Sequence, residues 1–405
     1  MANTVRARLR GTPVVAEAWA AWKRRRLHRD YAAKADWYAG RAPVAYREEN
    51  VVSDIRRRLA ERRPPPKRRL GEIHTFAFIP RIGWHGTLYN DLAELGPVTE
   101  FDYVALGYRW QEFHRGDRRG VDRRREMNAR ALAALRAAHR ARPVDWVFVY
   151  ASGLEITTEW VQAIVDELAL PTVNMCLDDK QSWTGTRVGG QRRGQVDIAS
   201  AFDLSWTSAT VACQWYLAEA ARPLYMPEGF DLKTCSPMAG VADIPVSFVG
   251  GAYGFRRSVV RHLRRHQVPV RAFGPGWEEG WVEKPAEIFN RSLINLGMGG
   301  IGYSETLTNV KGRDFEIPAT GGGMYLTSFN ADLARHLLVG QEVVCYGSRE
   351  ELVDLIRYYL ARPEEAKAIA ARARARCLAE HRWRHRYEKI CRVLQILGET
   401  PGAAA

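Results

Sequence analysis

Apolar and polar positions alternate along residues 71–235 with two different periods. Short apolar runs have the length and composition of buried strands, and the longer segments between them have the 3.6-residue period of amphipathic helices. Strands are predicted at residues 75–80, 98–104, 145–150, 171–177, 202–207 and 224–226, and helices at residues 88–95, 122–141 and 158–168. Strands separated by helices of this length predict a parallel, doubly wound sheet.

A second alternation of the same kind follows the turn-rich segment 227–245. Strands are predicted at residues 246–249, 268–273, 324–327 and 343–346, and helices at residues 256–266, 352–360, 363–380 and 381–397. Ser348-Arg-Glu-Glu351 has the form of a capping box at the start of one of these helices. The predicted fold class is therefore α/β, with two Rossmann-like doubly wound domains and a ligand cleft between the carboxyl ends of their sheets.

A basic extension precedes both alternations. Residues 5–60 are rich in Ala and Arg and carry Trp19, Trp22 and Trp37, which predicts basic amphipathic helices, and three consecutive prolines at residues 64–66 mark a linker. The predicted domains are a basic helical extension with its linker at 1–70, an N-terminal Rossmann-like domain at 71–235, a C-terminal Rossmann-like domain at 236–385, and a helix and tail at 386–405.

The formal net charge of +14 is concentrated in that extension. Residues 1–70 hold 19 Lys or Arg and 7 Asp or Glu, a net charge of +12, which leaves +2 for the other residues. A nearly balanced body does not favour nucleic acid as a partner. Two interpretations of the extension stay open: a solvated helical arm that packs on its own body, and an arm that docks on an anionic membrane surface or a protein partner.

The cysteine and histidine positions predict neither a disulfide framework nor a metal site. The six cysteines include no Cys-x-x-Cys pair and the ten histidines no His-Glu-x-x-His motif, so we expect free thiols in packed positions and no metal cofactor. The chain has no apolar run of membrane-spanning length, and Met1 to Arg10 lack the apolar segment of a secretory signal, so we expect no secretion. The expected location is the cytoplasm, with the extension as a means of peripheral attachment to the inner face of the membrane.

Two cations and a carboxylate share one predicted helix start in Lys311-Gly-Arg-Asp-Phe-Glu316. Lys311 and Arg313 suit a diphosphate, and the carboxylate of Glu316 is an acceptor that suits the hydroxyls of a diol. Gly321 and Gly322 open a run of three glycines, which would let the backbone approach a ligand without side-chain interference. The alternative is that Arg313 and Glu316 form only a surface ion pair.

Two loops after predicted strands supply further candidates for an anion site. These candidates are Gly250, Gly251, Arg256, Arg257, Phe273 and Gly274. The first four form a glycine-rich turn into a helix start, where backbone amides and an arginine favour phosphate oxygens, although such turns are common in any α/β protein. Phe273 and Gly274 either bracket a nucleotide base or form a packing turn.

The N-terminal domain offers three candidate catalytic residues. His85 lies in Gly83-Trp-His-Gly86 at a predicted helix start, where it either faces a ligand or has no chemical role. Asp178 and Asp179 follow a predicted strand, where a general base for an acceptor hydroxyl would be placed. Adjacent residues of a strand point to opposite sides, so we expect one carboxylate to face the ligand and the other to anchor the loop. The sequence leaves open which is which.

The pattern Lys311-x-Arg-x-Phe-Glu-x-Pro-Ala-x-Gly-Gly, with the strand at residues 342–346 and the ending His381-x-Trp-x-x-Arg386, resembles the C-terminal domain of the CgeB-like glycosyltransferases. That family is a branch of the group-1-type transferases with the GT-B fold. The resemblance covers residues 246–390 well and residues 71–245 more loosely. It implies that the C-terminal domain binds a nucleoside-diphosphate sugar.

The same resemblance implies a role for Glu316. It also shows that a second acid of the wider superfamily is missing from this chain. In such transferases the carboxylate that matches Glu316 accepts hydrogen bonds from the ribose hydroxyls. Retaining members of the wider superfamily carry a second Glu eight residues earlier, where this chain has Thr308, and Glu305 is the nearest acid. The stereochemical course therefore does not transfer with the resemblance.

The predicted function is the metal-independent transfer of a sugar from a nucleoside-diphosphate sugar to an acceptor hydroxyl of a glycan, a lipid-linked molecule, a protein or a small molecule. Two alternatives stay open: a nucleotide-sugar epimerase or hydrolase on the same fold, and a non-catalytic binding protein. An NAD-dependent oxidoreductase is disfavoured, because none of the predicted strands leads into a Gly-x-Gly-x-x-Gly with the downstream acid that dinucleotide sites use.

Overall fold

The computed structural model describes residues 13–240 and 242–398, with side chains described from Glu17 onward. The chain divides into two compact units, each made of two stretches of sequence. The first-sheet unit comprises Trp37–Asp231 and the chain from His381, and the second-sheet unit comprises Leu232–Glu380 and the chain up to Asp36. The helix α1, Pro13–Ala39, contributes residues to both.

The first-sheet unit is built on six parallel strands in the order β2-β1-β3-β4-β7-β8. Its strands are β1 Thr75–Phe78, β2 Val98–Glu100, β3 Trp146–Val149, β4 Thr172–Cys176, β7 Leu204–Thr207 and β8 Pro223–Tyr225, with an antiparallel hairpin of β5 Thr186–Val188 and β6 Gln191–Arg193. Its helices are α2 Glu48–Arg62, α3 Gly86–Leu95, α4 Trp110–Phe113, α5 Arg118–Ala141, α6 Thr158–Leu168, α7 Asp179–Ser182 and α8 Thr210–Ala218.

The second-sheet unit is built on five parallel strands in the order β10-β9-β11-β12-β13. Its strands are β9 Ile244–Val249, β10 Val270–Phe273, β11 Ser292–Leu296, β12 Met324–Ser328 and β13 Val344–Tyr346. Its helices are α9 Arg256–Arg265, α10 Pro285–Arg291, α11 Arg313–Thr320, α12 Arg349–Leu360 and α13 Pro363–Glu380. The last helix, α14 Trp383–Val393, returns to the first-sheet unit. The predicted α/β class with two parallel sheets is confirmed.

Both faces of the first sheet are covered, so every residue of β1, β3, β4 and β7 is buried. Along β1, Phe76 and Phe78 pack into one core, whereas Ala77 packs into the other. Strand β3 repeats this alternation, and α14 places Trp383 and Tyr387 in the same core as Ala77. A parallel sheet with helices on both faces buries both sets of alternate side chains.

The central strand of the second sheet, β11, is absent from the sequence prediction. Its Ile294 and Leu296 enter the core of that unit, but its other face is polar. There Ser247 Oγ donates to Asn295 Oδ1 at 3.0 Å, and Ser292 Oγ donates to Ser247 Oγ at 2.8 Å. These buried hydrogen bonds satisfy the polar groups, so two polar residues in a five-residue strand cost little here.

The predicted cap at Ser348 and the free cysteines agree with the sequence analysis, but Glu351 Oε2 accepts from the amide of Gly347 and not from that of Ser348, so the full capping box is not formed. Ser348 Oγ accepts a hydrogen bond from the amide of Glu351 at 3.1 Å and caps α12. All six cysteines are free thiols, five of them buried and Cys345 half-buried. Among the described residues, none of the helices is both long and apolar enough to span a bilayer.

A buried carboxylate fastens α2 to the first sheet. Asp203 is fully buried and accepts hydrogen bonds from the amide and the hydroxyl of Thr172, at 2.9 and 3.1 Å. Arg58 of α2 donates to it at 3.0 Å, and Arg62 approaches it at 2.7 Å as an ion pair without hydrogen-bond alignment. The two arginines and the two Thr172 donors therefore compensate the cost of burying the charge.

We expect Asp203→Ala to lower the free energy of unfolding of the first-sheet unit by about 3 kcal/mol, because removing one partner leaves buried charges without compensation. Guanidinium denaturation followed by tryptophan fluorescence measures the change. The matched control is Asp54→Ala, since Asp54 pairs with Arg57 on the exposed side of the same helix. A loss for Asp203→Ala no larger than that of the control would contradict the role of this carboxylate.

Candidate functional site

The carboxyl edge of the second sheet gathers the loops that follow β9, β10 and β11. Each strand of this sheet is parallel to its neighbours, so the loops after the strands emerge at the same edge. These loops are residues 250–255, 274–284 and 297–312. The last of them leads into α11, which places the start of that helix at this edge.

Glycines bring the first two loops together. The amide of Gly250 donates to Phe273 O at 2.9 Å, and Trp277 Nε1 donates to Gly250 O at 2.7 Å. A Cβ on Gly274, whose φ is +118°, would lie 2.7 Å from Gly250 O. Phe273 itself is buried in a small apolar cluster with Ile288. The second loop therefore buttresses the first, which supports the packing interpretation of residues 273 and 274.

The loop after β11 closes against the loop after β9. The amide of Phe255 donates to Gly302 O at 3.3 Å. Gly254 has φ +61°, and a Cβ there would lie 1.7 Å from the same carbonyl oxygen. No other residue fits without moving the backbone. Within the loop after β11, the acid nearest to Thr308 in sequence, Glu305, forms an ion pair with Arg349 of α12.

Arg256 is a half-buried cation at the start of α9. Its guanidinium carbon lies 4.3 Å from the ring centre of Tyr253, and its Nη1 donates to Gly251 O at 3.3 Å. Its Nε is buried and has no hydrogen-bond partner among the described residues. Burial lowers the pKa of Arg256, yet a guanidinium stays charged at neutral pH. A buried cation with an unused donor at a helix start favours an anionic ligand.

Arg257 has a different role from its neighbour. It is exposed, and its guanidinium donates to Ala252 O at 2.8 Å and to Gly276 O at 3.2 Å. It therefore links the two glycine-rich loops from outside.

A buried acid that sequence reasoning missed holds the start of α11. Asp314 accepts hydrogen bonds from the amide of Lys311 at 2.7 Å and from the hydroxyl of Tyr325 at 2.5 Å. It is only 2 % exposed, and burial raises its pKa to about 6. The available signal was its position three residues after Lys311, where an acid fixes a helix start. Asp314 sets the backbone that carries Lys311 and Arg313.

Arg313 and Glu316 form an ion pair one turn apart on α11. The Glu316 side chain is 14 % exposed and that of Arg313 is 37 % exposed. The guanidinium of Arg313 also lies 5.4 Å from the ring centre of Phe289. The pair that the sequence analysis gave as the alternative interpretation is thus present, and both side chains keep access to solvent.

The glycines after α11 lie at the opposite edge of the sheet, which corrects the expectation that they approach a ligand. Gly321 ends the helix with φ +67°, and a Cβ there would lie 2.6 Å from Arg374 Cδ. A Cβ on Gly322 would lie 2.3 Å from Asn290 Cα, and one on Gly323 would lie 1.9 Å from Ser292 O. These glycines allow close packing at the amino ends of β11 and β12.

The carboxyl edge of the first sheet brings His85, Tyr150 and Asp178 together. The rings of His85 and Tyr150 lie 4.9 Å apart. Burial lowers the pKa of His85, and burial together with the charge of Asp178 raises the pKa of Tyr150 well above its usual value. Tyr150 was missed, although its place directly after a predicted strand was a signal.

The two adjacent acids after β4 differ in their surroundings. Asp179 is fully buried and accepts hydrogen bonds from Thr207 Oγ1 at 2.5 Å and from the hydroxyl of Tyr216 at 2.9 Å. Asp178 is partly exposed. Asp179 is therefore the buried acid of the pair and holds the loop, and Asp178 keeps part of its surface in solvent. Among the described residues, no group of three His, Cys, Asp or Glu could hold a metal ion.

Comparison with known proteins gives a family match for the segment that contains most of the loops at the carboxyl edge of the second sheet. Residues 256–392 match the model of a family described as glycosyl transferase-like. The predicted resemblance of the C-terminal domain to glycosyltransferases is confirmed at that level, and the CgeB-like branch stays a prediction. No curated protein matches the chain in sequence.

Solved structures share the fold at low sequence identity. HepE from Anabaena in complex with UDP-glucose has a TM-score of 0.53 at 13% identity, with 80% of this chain and 99% of HepE covered. An α,α-trehalose-phosphate synthase (UDP-forming) from Burkholderia vietnamiensis has a TM-score of 0.50 at 13% identity, with 80% of this chain and 100% of the synthase covered. The chain thus has the GT-B fold, and residues 256–392 match the glycosyl transferase-like family.

Proposed function

We propose that this protein is a glycosyltransferase that moves a sugar from a nucleoside-diphosphate sugar to an acceptor hydroxyl. One observation carries the proposal: the segment that matches the glycosyl transferase-like family contains Arg256, Lys311, Arg313 and Glu316, all at helix starts on the carboxyl edge of the second sheet. HepE, which shares the fold, was solved with UDP-glucose. UDP-glucose is therefore the first donor to test.

The proposed donor site uses cations for the diphosphate and an acid for the ribose. Arg256 supplies a desolvated guanidinium, and Lys311 and Arg313 add charge at the start of α11, where the helix dipole also favours an anion. These groups stabilise the charge that grows on the diphosphate as the sugar leaves. Glu316 accepts from the ribose hydroxyls, since an ionised carboxylate is an acceptor only.

The proposed acceptor contacts come from the first-sheet unit. Asp178 serves as the general base that takes the proton from the acceptor hydroxyl, because it is the accessible acid of its pair. His85, which burial keeps neutral at pH 7, and Tyr150 offer hydrogen bonds to the acceptor. Asp179 positions the loop that carries Asp178. The nature of the acceptor, the transferred sugar and the CgeB-like branch belong to this proposal as expectations only.

Assays with donor alone and with added acceptors test the proposal. A transferase releases nucleotide from UDP-glucose faster when a suitable acceptor is present and forms a new glycoside. Release of nucleotide or a change of the sugar with donor alone, and no glycoside with any acceptor, would instead identify a hydrolase or an epimerase. The absence of nucleotide binding by calorimetry would leave a non-catalytic protein.

Glu316→Ala should weaken UDP binding at least about tenfold while the fold persists, because two hydrogen bonds to a charged acceptor are lost. Calorimetry with UDP measures the affinity, and circular dichroism checks the fold. Glu126→Ala is the matched control, since Glu126 forms an ion pair with Arg123 at the same i, i+3 spacing on α5. Equal UDP affinity in wild type and Glu316→Ala would refute the ribose assignment.

The stability of the second-sheet unit should respond to pH through Asp314. Because its pKa is raised to about 6 in the folded protein, the folded state binds this proton more tightly than the unfolded state does. Lowering the pH from 7 to 5 should therefore stabilise wild type by about 1 kcal/mol relative to Asp314→Asn, which has no carboxyl to titrate. Urea denaturation at both pH values measures this difference. Parallel profiles for the two proteins would contradict the raised pKa.

Sugar transfer should continue after treatment with EDTA, because the proposed site neutralises the leaving diphosphate with cationic side chains and helix starts. The measurement is nucleotide release from UDP-glucose with and without chelator, with added Mg²⁺ as the reference. Loss of activity with EDTA that Mg²⁺ restores would show that a metal ion takes part.

A further inference from the structure

One face of helix α1 is occupied by the second-sheet unit. The ring of Trp19 meets that of Tyr303 edge-on at 5.2 Å, and His28 Nε2 lies 2.7 Å from Ser304 Oγ. Leu27, between them in sequence, lies beside Gly302. These contacts hold the first half of α1 against that unit.

A stripe along α1 carries exposed tryptophans and arginines. Residues 22, 26, 29, 33 and 37 share one stripe at helical spacing. At the ends of the stripe, Trp22 is 51 % exposed and Trp37 is 56 % exposed. Arg26 and Arg29 lie between them, and Arg25 is exposed beside them. Two large apolar rings exposed on one helix need a reason, because burying them would stabilise the fold.

Each exposed ring is paired with a cation. Lys23 Nζ and the Arg26 guanidinium lie 5.5 and 5.6 Å from the ring centre of Trp22, and the Arg41 guanidinium lies 3.6 Å from that of Trp37. Residues 13–39 hold six Lys or Arg against three Asp or Glu. One of those acids, Asp30, is already paired with Arg26 and Arg29. The face therefore keeps a net positive charge.

We propose that this face of α1 docks the protein on an anionic lipid surface, with α1 lying parallel to the plane of the membrane. Tryptophan rings favour the boundary between headgroups and acyl chains, and arginines beside them attract anionic headgroups. The two rings are about 22 Å apart along one continuous helix, about four turns from each other on the same stripe. A nucleic acid would account for the cations but less well for two rings at that separation.

Vesicle sedimentation with the full-length protein tests this docking. Binding is expected to vesicles of equal parts phosphatidylcholine and phosphatidylglycerol, with little binding to phosphatidylcholine alone. Trp22→Ala/Trp37→Ala and Arg25→Glu/Arg29→Glu should each weaken binding at least about tenfold. The matched control is Trp110→Ala/Arg118→Glu on the first-sheet unit, because Trp110 is also 51 % exposed and the Arg118 side chain is 96 % exposed. This control should bind as wild type does.

Two further measurements make the outcome decisive. Unchanged circular dichroism spectra and thermal unfolding of the α1 variants show that lost sedimentation is not lost folding. Fluorescence anisotropy with a labelled single-stranded oligonucleotide reports the competing partner. The proposal is overturned if wild type does not sediment with the anionic vesicles, if the α1 variants sediment as the control does, or if those substitutions abolish oligonucleotide binding while vesicle binding is unchanged.

Discussion

Parallel pairing of the strands in both large sheets decides where chemistry is possible in this molecule. Every strand enters its sheet in the same direction, so the loops after the strands share one edge and the loops before them share the other. In the second sheet this brings the loops of Gly250, Gly274 and Gly302 into contact and places the start of α11 at the same edge. The same constraint sends Gly321 and Gly322 to the far edge, where they serve packing.

Buried acids hold these loops in place, and partly exposed acids beside them stay accessible. Asp179 and Asp314 each accept hydrogen bonds from two donors, and these bonds offset the cost of removing a carboxylate from water. Asp178 and Glu316 lie one and two residues away and keep part of their surface in solvent. At each edge a structural acid thus fixes the backbone on which a candidate functional acid is carried.

The sequence predicted most of the fold because buried parallel strands and amphipathic helices leave strong periodic patterns. Strand β11 was not predicted because Ser292 and Asn295 interrupt its apolar run. Only the hydrogen bonds across the sheet explain why these two polar residues are buried there. Glycines were harder to interpret, since a glycine in a ligand loop and a glycine at a packing contact look alike in sequence. The roles of Asp178 and Asp179 depended on which donors surround each carboxylate, and those donors, Thr207 and Tyr216, are distant in the chain.

The ion pair of Arg313 and Glu316 is compatible with both interpretations that the sequence allowed. An i, i+3 pair that is partly exposed stabilises a helix by only about 0.2–0.5 kcal/mol, so separating the two side chains costs little. In the proposed donor site, a diphosphate that recruits Arg313 would free the carboxylate of Glu316 for a diol. The pair holds both side chains at the edge of the sheet until then, and Asp314, which fixes the backbone of Lys311, keeps the helix start in place throughout. The local contact and the proposed ligand contact therefore do not exclude each other, because the weakness of the first is what permits the second.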